Sequence, residues 1–177
     1  MKGARNLQLV EKKHVKDLVQ NKPIIGWREW LALPDLGIRA IKAKIDTGAR
    51  TSALHTFGLE SFEEDGILKV KFRIHPLQLR RDVSNTCVAD VMDRRYVTSS
   101  DGQREMRFVI MTSVVLGDIT WPVEMTLTNR DSMRFRMLLG RAAVSGRVVV
   151  DPEKSYLCGR RLSKIYSKNK KKTKRSS

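Results

Sequence analysis

Ile41 to His55, I-K-A-K-I-D-T-G-A-R-T-S-A-L-H, is the stretch whose reading decides the fold. Ile41, Ala43 and Ile45 alternate with Lys42 and Lys44, the period of a half-buried strand. The strand runs into Asp46-Thr47-Gly48, where Asp brings a side-chain acceptor and Gly tolerates positive φ. Such tripeptides are usually plain turns. The other reading makes Asp46 a catalytic carboxylate, held by a rigid turn and by a glycine whose backbone can approach it closely.

Outward from this stretch the same period recurs. Leu68, Val70, Phe72 and Ile74 alternate with Lys69, Lys71 and Arg73, and Trp121, Val123, Met125 and Leu127 alternate after the Gly117-Asp118 turn. Strands are expected from Ala89 to Thr98 and from Arg104 to Met111, joined by a hairpin whose Asp101-Gly102 pair supplies positive φ. Met137–Gly140 and Val148–Val150 are short apolar runs, and one short helix is expected over Arg141–Ser145. His14 to Gln20 fits a short amphipathic helix ended by Pro23. The pattern predicts an all-β domain, a small closed or nearly closed barrel.

The chain has 177 residues, enough to bury a core without metal or disulfide staples, and 41% are hydrophobic. Its net charge of +16 suggests a nucleic-acid binder until its distribution is read. Residues 1–22 carry six Lys/Arg against Glu11 and Asp17, and residues 164–177 carry seven against no acid. Most of the excess therefore lies at the ends. The division expected is a basic N-terminal extension (1–22), one folded domain (23–160) and a basic, disordered C-terminal tail (161–177). The tails are solvated arms, or contacts for RNA, a ribosome or another anionic partner.

Cys87 and Cys158 form no C-x-x-C and no framework, the start lacks the apolar region of a signal peptide, and no window reaches membrane-spanning length. A cytoplasmic protein without membrane association is the expectation. No H-E-x-x-H is present, and His14, His55 and His75 are widely separated, so no metal ligand set is assigned, although His55, His75 and Cys87 remain a geometric possibility. No phosphate-cradling G-x-x-x-x-G-K-[ST] and no G-x-S-x-G occur, and no cofactor is expected. Glu29, Asp35, Asp151 and Glu153 read as turn or surface carboxylates, and Trp27, Trp30 and Trp121 as core or dimer-surface anchors.

The apolar strand feeding Asp46, the Ala49 that follows, and L-L-G-R at 138–141 before a short helix together resemble the retropepsin pattern of aspartic peptidases. G-W-R-E-W-L-A-L-P-D-L-G (26–37), S-S-D-G-Q-R-E-M-R (99–107), T-L-T-N-R (126–130) and V-D-P (150–152) are similar to a small bacterial retropepsin-like family. Its members are labelled ATP-dependent zinc proteases and are associated with ATP-grasp glutamate ligases that modify a ribosomal protein. The resemblance covers about residues 23–160. It implies a retropepsin-like acid-protease barrel in which Asp46 is catalytic, Thr47 and Gly48 complete its loop, and Leu138, Leu139 and Gly140 form an apolar loop beneath it, followed by Arg141. It also places the flap tip at Ser99, Ser100, Asp101, Gly102 and Gln103; Arg50 and Thr51, expected to face flap or substrate, depart from the acidic residues of viral retropepsins.

The chain holds one D-T-G and no D-S-G. A single carboxylate cannot be general base and general acid to the same water, so two copies must bring their Asp46 side chains together, which makes a homodimer the active species. Such a pair shares one proton and predicts a bell-shaped rate profile on the acidic side. The expected substrate is a peptide or protein, acidic and glutamate-rich by the family's association. The rivals are a non-catalytic basic module that binds acidic peptide or RNA through Lys42, Lys44, Arg50 and the tails, and a zinc-dependent protease as the family label has it.

Overall fold

The structure, a computed structural model, describes residues 22–78, 80–98, 102–129 and 134–166. Twelve strands are found there: β1 (Ile24–Gly26), β2 (Arg28–Leu33), β3 (Ile38–Asp46), β4 (Ser52–His55), β5 (Phe57–Glu64), β6 (Ile67–Ile74), β7 (Asn85–Asp90), β8 (Asp93–Thr98), β9 (Arg104–Leu116), β10 (Ile119–Thr128), β11 (Met137–Gly140) and β12 (Val149–Asp151). One short helix, α1 (Arg141–Val144), and 3-10 turns at Pro34–Leu36 and Arg161–Lys164 complete them. The all-β expectation is met. The expected helix at His14–Gln20 lies outside the described residues.

Alternation does its work in β3 and β6. Ile41 and Ala43 are fully buried while Lys42 and Lys44 stay half-exposed, and Val70, Phe72 and Ile74 are fully buried between exposed Lys71 and Arg73. The main sheet runs β10-β4-β11-β3-β2-β9-β8, and the β9–β10 hairpin, turning at Gly117 with φ 58°, returns the pairing path to its start. Six strands thus make a hydrogen-bonded circuit, narrowest at the single registered pair Ala32↔Val115 between β2 and β9. A separate sheet, β5-β6-β7, packs Phe72, Ile74 and Cys87 into the same core, and β1 pairs in parallel with β12.

Three readings of the sequence need correction. Ala89–Thr98 is not one strand: β7 belongs to the small sheet and β8 to the large one, and the chain crosses over at Val91, whose N–H donates to Leu68, and Met92, whose N–H donates to Val109. Leu138–Gly140 is not a loop but strand β11, inserted parallel to β3 and antiparallel to β4. Glu29 is not a surface carboxylate. It is fully buried, and its oxygens accept from the backbone N–H of Gly26 (2.7 Å), Leu157 (2.8 Å) and Cys158 (3.4 Å). Asp35 and Asp151 do serve backbone turns and ends, accepting from Ser113 N–H and from the N–H groups of Glu153 and Lys154.

Beyond residue 160 the chain continues as the 3-10 turn Arg161–Lys164, packed against β2 and β3. No helix among the described residues is long and apolar enough to cross a membrane.

Candidate active site

Asp46 is the last residue of β3 and pairs in register with Gly140, the last of β11. Its side chain is about a quarter exposed (24%). One carboxylate oxygen accepts from the Ala49 N–H at 3.2 Å, closing the turn through Thr47 and Gly48, and the other lies 3.7 Å from Lys44 Nζ. A Cβ on Gly48 would stand 3.4 Å from the first oxygen, an ordinary contact, so the turn's approach to the carboxylate does not by itself demand glycine.

The loop is clamped from below by the segment that L-L-G-R encodes. Arg141 N–H donates to the Ala49 carbonyl (2.7 Å), Ala142 N–H to the Arg50 carbonyl (3.0 Å), and the Arg141 guanidinium to the Thr47 carbonyl (3.1 Å). Gly140 N–H donates to Ser52 Oγ at 3.1 Å, and Thr126 Oγ1 donates to the Ser52 carbonyl at 2.9 Å. Gly140 itself admits no side chain: a Cβ there would lie 2.5 Å from the Thr51 carbonyl carbon and 2.6 Å from its oxygen. Leu139 is fully buried, and Leu138 faces the space above.

That space is a cavity of about 720 Å³, bounded by Asp46, the Gly48–Thr51 loop, Leu138, and the β8 residues Arg95 to Thr98. Strand β8 therefore forms part of the wall of the cavity that Asp46 lines. Ser99, Ser100 and Asp101 lie outside the described residues, while Gly102 has φ 80° and Gln103 leads into β9. Thr47, Gly48 and Arg50 are exposed, and Arg50 and Thr51 line the cavity wall.

Sequence reasoning missed the side chains that β8 and β9 bring to this cavity. Arg107 is only 7% exposed; its Nε donates to Glu105 (2.9 Å), and the same carboxylate oxygen accepts from Thr128 Oγ1 (3.1 Å). Arg95 is held by Glu124 at 2.7 Å and Asp93 at 2.8 Å. Tyr96 is exposed, with Arg104 over its ring. The hint in the sequence is R-E-M-R at 104–107; the registered pairing of Arg95 with Arg107, not spacing, brings both into the cavity of Asp46.

The geometry provides a carboxylate on a rigid turn at the floor of a cleft, with guanidinium groups in its wall. His55, His75 and Cys87 are not drawn together: His75 stacks on Phe57 and bonds to the Val83 carbonyl, while the Cys87 thiol meets the Leu36 carbonyl. Among the described residues no three His, Cys, Asp or Glu side chains are grouped as metal ligands.

This construction is that of retropepsin-like aspartic endopeptidases, and comparison with known proteins agrees. The family model described as "Retropepsin-like aspartic endopeptidase RimB" matches residues 24–161, and the chain belongs to that RimB-like family. A protein named "Probable alpha-L-glutamate ligase" from Shewanella pealeana is 49% identical over 139 residues, which are 78% of this chain and 30% of that one. A protein of the same name from Parasynechococcus marenigrum is 49% identical over 138 residues, again 30% of its length. The chain thus spans under a third of these relatives. The crystal structure of Lpg0085, a Legionella pneumophila protein of unknown function, superposes with a TM-score of 0.63 at 26% identity, covering 77% of this chain and 98% of that one.

Proposed function

We propose that the protein is an aspartic endopeptidase whose active site is completed by a second copy of the chain, and that it cleaves amide bonds in acidic, glutamate-rich peptides. The observation that carries this reading is the placement of Asp46 at the floor of a substrate-sized cleft, on a turn fixed by Ala49 N–H and clamped by Gly140 and Arg141. In the dimer the ionised Asp46 takes a proton from water as the water oxygen attacks the scissile carbonyl carbon. The protonated Asp46 of the partner subunit hydrogen-bonds the carbonyl oxygen; collapse of the adduct breaks the C–N bond, and the proton taken from water passes from the Asp46 carboxyl to the leaving amine. Exposed Thr47 is the residue of the loop suited to bonding across the twofold axis.

The substrate class rests on the exposed Arg50 in the cleft wall, Arg95 and Arg107 being held by Asp93, Glu124 and Glu105, and on the relatives named for glutamate ligation. Working beside such a ligase, the chain would hydrolyse what a ligase builds. The test is Asp46→Asn on a glutamate-containing peptide. Cleavage falls by at least about 10³-fold while peptide binding changes by less than about twofold. Wild-type protein that binds such peptides without turning them over would instead favour a basic binding module, a reading motivated by the same arginine.

A further inference from the structure

The outer face of β2 and β3 carries a second constellation that peptide cleavage does not use. Trp30 and Lys42 are registered partners there, with Lys42 Nζ 5.4 Å from the indole centroid. The segment after β12 folds back over this face, and the turn Arg161–Lys164 packs on both strands. Between them is left a slot of about 230 Å³, bounded by Trp30, Lys42, Gln78, Arg80, Ser163 and Tyr166. Arg80 is committed, bidentate to Asp82 and donating to the Tyr166 carbonyl. The Tyr166 hydroxyl is not: it is buried and has no hydrogen-bond partner among the described residues. A buried hydroxyl left unpaired is costly, which points to a ligand with a polar edge.

Charge surrounds this slot on one side of the molecule. Arg28 lies between the Trp27 ring (4.6 Å) and the Tyr156 ring (5.1 Å), and Arg160 covers Tyr156 at 4.5 Å. Lys42, Arg160, Arg161 and Lys164 make no ion pair with any described residue, whereas the acids nearby, Asp82 and Asp151, are taken by Arg80 and Lys154. The chain then leaves Tyr166 into Lys168, Lys170, Lys171, Lys172, Lys174 and Arg175.

We propose that this face binds single-stranded RNA, one base entering the slot between Trp30 and Tyr166 while Lys42, Arg160, Arg161 and Lys164 hold the flanking phosphates. An aromatic face, a hydrogen-bonding hydroxyl and unpaired cations around a space large enough for one planar base are the parts of single-strand recognition. An acidic peptide would use the cations but leave the ring and the hydroxyl idle.

The experiment is fluorescence anisotropy of the full chain with a labelled 12-nucleotide oligo(U) across a salt series, together with 4-thiouridine crosslinking. Replacing Lys42, Arg161 and Lys164 by Gln weakens binding at least about tenfold and lowers the salt slope by roughly two, since each phosphate contact on a single strand contributes about 0.7. Neutralising Lys170, Lys171, Lys172 and Lys174 weakens binding further without removing its dependence on the face. Crosslinks fall in peptides containing Trp30 or Tyr166. Unchanged affinity in the face variant, crosslinks confined to residues 167–177, or displacement of the RNA by polyglutamate at equal charge would each overturn the proposal. Because anisotropy reads RNA alone, the outcome is independent of whether Asp46 cleaves peptides.

Discussion

Glu29 shows how far a single residue can depart from its ordinary role. A fully buried carboxylate is expensive unless it is satisfied, and here three backbone N–H groups, one local and two from a distant segment, satisfy it, tying Leu157 and Cys158 to the start of β2. Glu29→Ala leaves all three donors without an acceptor. We expect a loss of roughly 3 kcal/mol or more in urea unfolding, with hydrogen-exchange protection lost first at Leu157 and Cys158; a change below about 1 kcal/mol would contradict this account. Gly140 is constrained by space rather than charge. In Gly140→Ala the new methyl meets the Thr51 backbone, which has no rotamer to yield, so a loss of about 2–4 kcal/mol is expected, with the Asp46 loop displaced in a crystal structure of the variant. Neither role is legible in sequence, since G-W-R-E and L-L-G-R carry no mark of what their backbones approach.

At the scale of elements, period two located β3, β6, β9 and β10, because half-buried strands must alternate to keep one face in the core. The same signal could not separate β7 from β8, since a chain passing directly between sheets keeps its strand-like pattern. Short strands β1, β4 and β12 offer too few residues for a period, and all four residues of β4 are buried, which removes alternation altogether. A titratable link holds β7 to the turn at Leu36. The Cys87 thiol donates to the Leu36 carbonyl at 3.3 Å, and burial pushes its pKa up from 9.0 to about 11. The unfolded chain then releases the proton first. Stability is flat below about pH 9 and falls as pH rises toward 11, by up to roughly 2–3 kcal/mol from this thiol. Urea midpoints measured from pH 8 to 11 should show that decline, and Cys87→Ala should reduce it. Cys158, raised to about 11 by burial and by the charges of Glu29 and Asp118, adds to the decline and remains in the variant.

For the whole molecule, the protomer presents one Asp46 at the floor of its cleft, so catalysis by the proposed pair is a property of the assembly. Diluting the protein through its dimer dissociation range should make the cleavage rate fall toward the square of protomer concentration, in step with the dimer concentration seen by sedimentation. Adding excess Asp46→Asn chain should suppress activity by forming mixed dimers. Cleavage per protomer that stays constant through dissociation would remove the shared-site mechanism.

The sequence by itself determined the β-class, the strand that delivers Asp46, the turn that holds it and the glycine-bearing segment at 138–141, because each is a local matter of side-chain period and backbone freedom. Only the tertiary structure decided that this segment is a strand lying between β3 and β4, that Glu29 is buried, and that Arg95 and Arg107 share a cavity with Asp46. These juxtapositions join residues up to 129 positions apart. They depend on strand order and register, which hydrophobic alternation does not encode, since it records which face of a strand is buried but not which strand lies beside it.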